Sequence, residues 1–62
     1  MKRYSCLCTT ILNNGKKEIA KDVAVIVKAN EIKEAKIKAK EKIKKMYGKQ
    51  IKGIMVERIN LL

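Results

Sequence analysis

From Val23 to Ala29 every second residue is apolar. Val23, Val25, Val27 and Ala29 share one parity with Ile19, while Glu18, Asp22 and Lys28 share the other. A period of two places alternate side chains on opposite faces of a strand. Residues 17–29 are therefore predicted as a half-buried strand with one face to a core. Ala20, Ala24 and Ile26 fall on the polar parity, so the second face is not wholly hydrophilic. Upstream, residues 3–12 (RYSCLCTTIL) contain Thr, Leu, Ile and Tyr and neither Gly nor Pro, and they predict another strand. Asn13-Asn14-Gly15 between the two is a hairpin signal, because Asn and Gly accept the positive φ of tight turns.

The period changes at Asn30. Ile32, Ala35, Ala39, Ile43 and Met46 recur at spacings of three and four, a narrow stripe on a helix. Asn30 is the expected N-cap, with Glu31 and Glu34 in the first turn, where the helix dipole favours negative charge. Lys44 and Lys45 suit the opposite end, and Gly48 is placed to stop the helix in a left-handed conformation just after Tyr47. Residues 50–60 (QIKGIMVERIN) predict a third strand offering Ile51, Ile54, Val56 and Ile59, with Gly53 as the site of a bulge that resets the register. The expected fold is α+β: a single domain over residues 1–62 in the order β-β-α-β. Its three-stranded antiparallel or mixed sheet carries one helix on one face, and strand three lies beside strand one.

Composition narrows the functions worth considering. The chain has 62 residues, and one layer of sheet under one helix is about all such a length can build. The other sheet face must then meet water, a partner or a second copy, which makes a homodimer an open alternative. Sixteen basic residues against six acidic ones leave a net charge of +10, which favours polyanions: nucleic acid, a nucleoprotein or an acidic protein surface. Fourteen of the sixteen are Lys, and Ile is also frequent, so AT-rich codon usage accounts for the same composition without selection for binding. Cys6 and Cys8 point to one face of a strand, a poor geometry for a disulfide. With no His and no third Cys they make no zinc site, so they read as reduced, small packing residues. No apolar run approaches the ~20 residues of a spanning helix. The start Met1-Lys2-Arg3 leads into a strand and turn rather than a signal peptide, so a cytoplasmic protein without membrane contact is expected. Catalysis is not expected: the chain has no His, no activated nucleophile and no phosphate loop, and its carboxylates stand among lysines that hold them ionised. No cofactor is implied.

The helix carries the strongest functional signal. Ile37 lies about 140° from Ile32 on the helical wheel, on the outward side, among Lys33, Lys36, Lys40 and Lys44 with no glutamate in that sector. Elsewhere acids answer the lysines, Glu34 facing Lys38 and Glu41 facing Lys45 at i,i+4 in the favourable order. An uncompensated lysine ridge is suited to phosphates, with affinity but little base readout. A solvated face is the ordinary alternative, and a single exposed aliphatic such as Ile37 is common on surfaces. Lys16, Lys17 and Lys21 near the hairpin offer a second basic group, for a β-ribbon in a groove or simply to solvate a turn. Base stacking of the RNA-recognition type is not expected, since the only aromatics are Tyr4 and Tyr47.

The segment VKANEIKEAKIKAKEKIKKMYG followed by IMVERI joins a strand ending at Ala29 to a polar turn. Ala35 and Ala39 then seat the helix, and a Gly leads to the last strand. Over residues 23–59 this pattern resembles small phage-encoded anti-CRISPR inhibitors of β-β-α-β order, and also the archaeal large-subunit ribosomal protein LX family. The first resemblance implies a protein that docks on a CRISPR effector complex and blocks nucleic-acid access, its lysines gripping an acidic surface or bound nucleic acid. The second implies contacts to an RNA backbone. A lysine-rich chain with only Arg3 and Arg58 suits the first better. The leading expectation is thus a non-enzymatic, phage-type inhibitor of a nucleic-acid-handling complex, with Lys33, Lys36, Ile37, Lys40 and Lys44 as its surface. The alternatives are a direct DNA or RNA binder using the same ridge with Lys16, Lys17 and Lys21, and a small homodimeric structural module.

Overall fold

The computed structural model describes residues 1–62 in full. Two long strands, β1 (Lys2–Asn14) and β2 (Lys17–Ala29), are followed by helix α1 (Ile32–Tyr47), a short 3-10 turn (Gly48–Gln50) and strand β3 (Ile51–Leu61). The sheet order is β2-β1-β3, antiparallel throughout. β1 is therefore central. β2 and β3 flank it and run parallel to one another, joined by the helix that crosses the sheet. The fold is α+β, as the hydrophobic pattern predicts.

The hairpin closes through a two-residue loop, Gly15-Lys16, since Asn14 pairs with Lys17. Gly15 has φ +72° and no residue other than glycine takes a positive φ. A left-handed first loop residue followed by an ordinary one is the pattern of type II′ turns, whose twist matches the flanking strands. From Ala29, which pairs with Lys2, the helix returns to Ile51, which pairs with Leu12. It thus runs diagonally, from the β2 edge at the end holding the termini to the β3 edge at the hairpin end. Sixteen residues of helix span about 24 Å, shorter than the strands beneath. The diagonal leaves two corners of the helix-facing sheet uncovered. Ile19, expected in the core, lies in one of them and is exposed; Leu61 lies in the other.

The core is thin, with eleven residues buried, as the surface-to-volume ratio of so short a chain requires. Tyr4, Cys6, Cys8 and Thr10 come from β1, and Val23, Val25, Val27 and Ala29 from β2. Ala35, Ala39 and Ile43 come from α1, and Tyr47, Ile51, Ile54, Val56 and Ile59 pack at the margin. The stripe that meets the sheet is thus Ala35-Ala39-Ile43-Tyr47, a strict i,i+4 row whose alanines let the helix approach closely. Ile32 and Met46, assigned to the core by spacing alone, are 54% and 55% exposed. They sit in the end turns, where the diagonal path carries the helix off the sheet margin.

Two local expectations are also corrected. The N-cap is Glu31, extended at φ −149°, and not Asn30. Instead the Asn30 backbone N–H donates to the Glu34 carboxylate at 3.2 Å, so a glutamate in the first turn satisfies a donor just outside the helix, as in a capping box. At the other end Gly48 does stop the helix, at φ +63°, its N–H donating to the Lys44 carbonyl. In β3 the register slips twice against β1. Gly53 pairs with Ile11 while Ile51 pairs with Leu12, which leaves Lys52 as the extra residue beside the expected glycine. The second bulge was not signalled: Arg58 pairs with Leu7 and Val56 with Cys8, leaving Glu57 extra.

Candidate functional site

The helix presents two unlike flanks on either side of its buried row. On the β2 side, Lys38 Nζ donates to the Lys28 carbonyl at 2.7 Å and Lys42 Nζ to the Ile26 carbonyl at 3.0 Å. Lys38 also pairs with Glu34 at 3.1 Å. These lysines are spent on the fold. They cover carbonyls at the outer edge of β2 that would otherwise offer pairing groups to another strand. Glu34, held by Lys38 and by the Asn30 N–H, has its carboxyl lowered below the usual range.

The opposite flank faces the β3 side and solvent. Lys33, Lys36, Lys40 and Lys44 are all exposed there, and none forms an ion pair. Ile37 stands among them, 54% exposed. Glu41 lies just beyond this sector, and the expected pair with Lys45 does not form within 4 Å. Tolerating four unneutralised like charges along one ridge is a local electrostatic cost. An approaching polyanion would relieve it.

The hairpin lysines do not join this ridge. Lys17 and Lys21 share the strand parity of Val23 and so stand on the helix-facing side of β2, at its uncovered corner, beyond the flank of Lys38 and Lys42. Lys16 is in the turn. The helix body separates the two basic groups, so one straight duplex contact cannot use both through the ridge flank. Sequence spacing carries no information on which side of the helix each group lies.

Beneath the helix, Cys6 and Cys8 are free and buried. Burial raises both thiols; at Cys8 the neighbouring Cys6 adds to the rise and Lys40 opposes it. Raised thiols on a covered strand are packing groups, poor nucleophiles at neutral pH. No cavity is present, and no group of three metal-ligating side chains comes together. No helix is long and apolar enough to cross a membrane.

One polar cluster escaped the sequence reading. On the open face of the sheet the Thr9 hydroxyl lies 3.2 Å from Asp22 Oδ1 and 3.1 Å from Glu57 Oε1. Its single hydrogen serves one carboxylate at a time. Asp22 is opposite Thr9 in the β1–β2 register, but only the bulge at Glu57 turns the second carboxylate onto this face. Lys52, extra at the other bulge, likewise reaches across β1 to pair with Glu18.

Compared with protein-family models, with curated proteins and with solved structures, the chain matches none. The fold and its two helix flanks are therefore what a functional reading has to work from.

Proposed function

We propose that the protein is a non-enzymatic binding module. It grips the phosphate backbone of a nucleic acid, free or held in a nucleoprotein complex, through Lys33, Lys36, Lys40 and Lys44. One observation carries this reading: these four lysines have no acidic partner, while Lys38 and Lys42 of the opposite flank are engaged by β2 carbonyls and Glu34. Lysines act as point charges without geometric demand, so the contact confers affinity and little sequence preference.

The test is titration of a generic DNA duplex and a generic RNA with the free protein at several salt concentrations. Four neutralised phosphates give a slope of log K against log salt of roughly −3 to −4. Lys36→Glu combined with Lys40→Glu lowers affinity by on the order of tenfold or more and flattens that slope. The helix signal by circular dichroism stays unchanged, because both positions are exposed. Binding that does not weaken between about 50 and 200 mM salt rules the ridge out as a phosphate surface.

Ile37 favours a second reading, in which the module is an inhibitor that docks on a nucleic-acid-handling complex, as the anti-CRISPR resemblance implies. A phosphate backbone has no use for an aliphatic side chain beside its contact, whereas a protein surface would bury it. Ile37→Ala leaves duplex binding intact on the first reading. On the second it weakens capture of the complex.

A further inference from the structure

The side of the sheet away from the helix is built unlike the rest of the molecule. Its apolar residues are Leu7, Ile11, Ala20, Ala24, Ile26 and Met55, none of them buried. Ile26 is 48% exposed on an edge strand. The charges on this face nearly cancel. Arg3, Lys28, Arg58 and Lys52 meet Glu18, Asp22 and Glu57, so the face holds both arginines and half of the acidic residues. Nine of the ten net positive charges are left to the helix side and the hairpin tip. A chain this basic repels its own copies through most of its surface. This face is the exception.

The charges are also sorted along the strands. Arg3, Lys28 and Arg58 lie in the half nearest the termini. Glu18 and Asp22 lie in the half nearest the hairpin, where Lys52 also pairs with Glu18, and Glu57 stands at the middle of β3, sharing the Thr9 hydroxyl with Asp22. Apolar side chains run through both halves. Such a face is complementary to itself about a two-fold axis that lies between two stacked sheets and runs across the strands. That axis sets the half of each copy that holds Arg3, Lys28 and Arg58 on the half of the other that holds Glu18 and Asp22. Lys28 then faces Glu18 of the second copy, and Ile26 packs over Ala20. Three strands are about 14 Å wide, and the long axis of the molecule is 41 Å. The projected face is roughly 600 Å² per copy, so a pair buries about 1,200 Å², the lower bound for a specific interface.

We infer that the protein forms a two-fold homodimer through its open sheet face, in four layers with both helices outside. Both lysine ridges stay free, and the inference does not depend on what they bind. Face-to-face packing of sheets is a standard way to cover an antiparallel face.

Sedimentation equilibrium of the full chain from about 1 µM to 1 mM tests it. The expected result is a mass rising with concentration from 7.1 kDa to twice that value. Ile26→Lys holds the protein at the single-chain mass while circular dichroism confirms the fold, the position being exposed in one copy. Lys28→Glu alone and Glu18→Lys alone each weaken self-association at least tenfold. An equimolar mixture of the two restores it, because both cross-interface pairs are then of opposite sign. A single-chain mass throughout overturns the inference, as does a dimer indifferent to Ile26→Lys. A mixture that fails to associate overturns the two-fold arrangement.

Discussion

Two adjacent threonines have opposite surroundings. Thr9 points to the open face, where its hydroxyl is contested by two carboxylates. Thr10 points under the helix, is fully buried, and its Oγ1 has no hydrogen-bond partner. A buried hydroxyl without a partner loses its hydration and recovers nothing. Valine has the same shape, keeps the β-branching that suits a strand, and removes the stranded oxygen. Thr10→Val is therefore expected to stabilise the protein by about 1 kcal/mol or more, read as a higher urea midpoint with an unchanged m-value. In a domain of this size that is a rise of roughly 4–8 °C in Tm. A lower midpoint would show that the hydroxyl has found a partner or a water.

At the scale of the element, α1 is stabilised at its start by one glutamate. The Glu34 carboxyl is lowered in the folded chain, first by the hydrogen bond from Lys38 and then by that from the Asn30 N–H. A depressed acid stabilises the fold above its unfolded pKa. The contribution is lost as pH falls through the folded value. The helix start is thus expected to loosen on acidification through the glutamate range, seen as lower amide protection factors at residues 30–35, each rate being divided by its intrinsic rate at the same pH. Glu34→Gln should show the lower protection factors already at neutral pH, with no further fall on acidification. Protection factors in that variant that still fall with acid would assign the effect to another carboxylate. The lysines of α1 also divide at this scale. Lys38 and Lys42 belong to the sheet edge they cover, whereas Lys33, Lys36, Lys40 and Lys44 on the other flank are free to recruit an anion.

For the whole molecule, charge is partitioned between a nearly neutral sheet face and a strongly basic remainder. The two surfaces should respond independently. Lys36→Glu with Lys40→Glu is expected to weaken duplex binding and flatten its salt slope while leaving the sedimenting mass unchanged. Ile26→Lys is expected to do the reverse to the mass, while its duplex-binding salt slope per chain stays as in the parent. A ridge variant that also dissociates the dimer would mean that the helices, not the open sheets, meet between copies.

The alternation in β2, the change of period at Asn30 and the glycines at positions 15 and 48 determine the elements and their order, because each is a local constraint on backbone conformation and side-chain direction. The same local signals separate Ile37 and its four lysines from the buried row. What the tertiary structure alone decides depends on how the elements lie across one another. The diagonal of a short helix over longer strands exposes Ile19, Ile32 and Met46, although their spacing marks them as core. The packing direction of α1 commits Lys38 and Lys42 to the β2 edge and sets the hairpin lysines apart from the ridge. The bulge at Glu57, which has no glycine to announce it, turns a second carboxylate toward Thr9 and completes the charge pattern of the open face. Periodicity reports which way a side chain points on its own element, and it carries no information about what the neighbouring element places opposite.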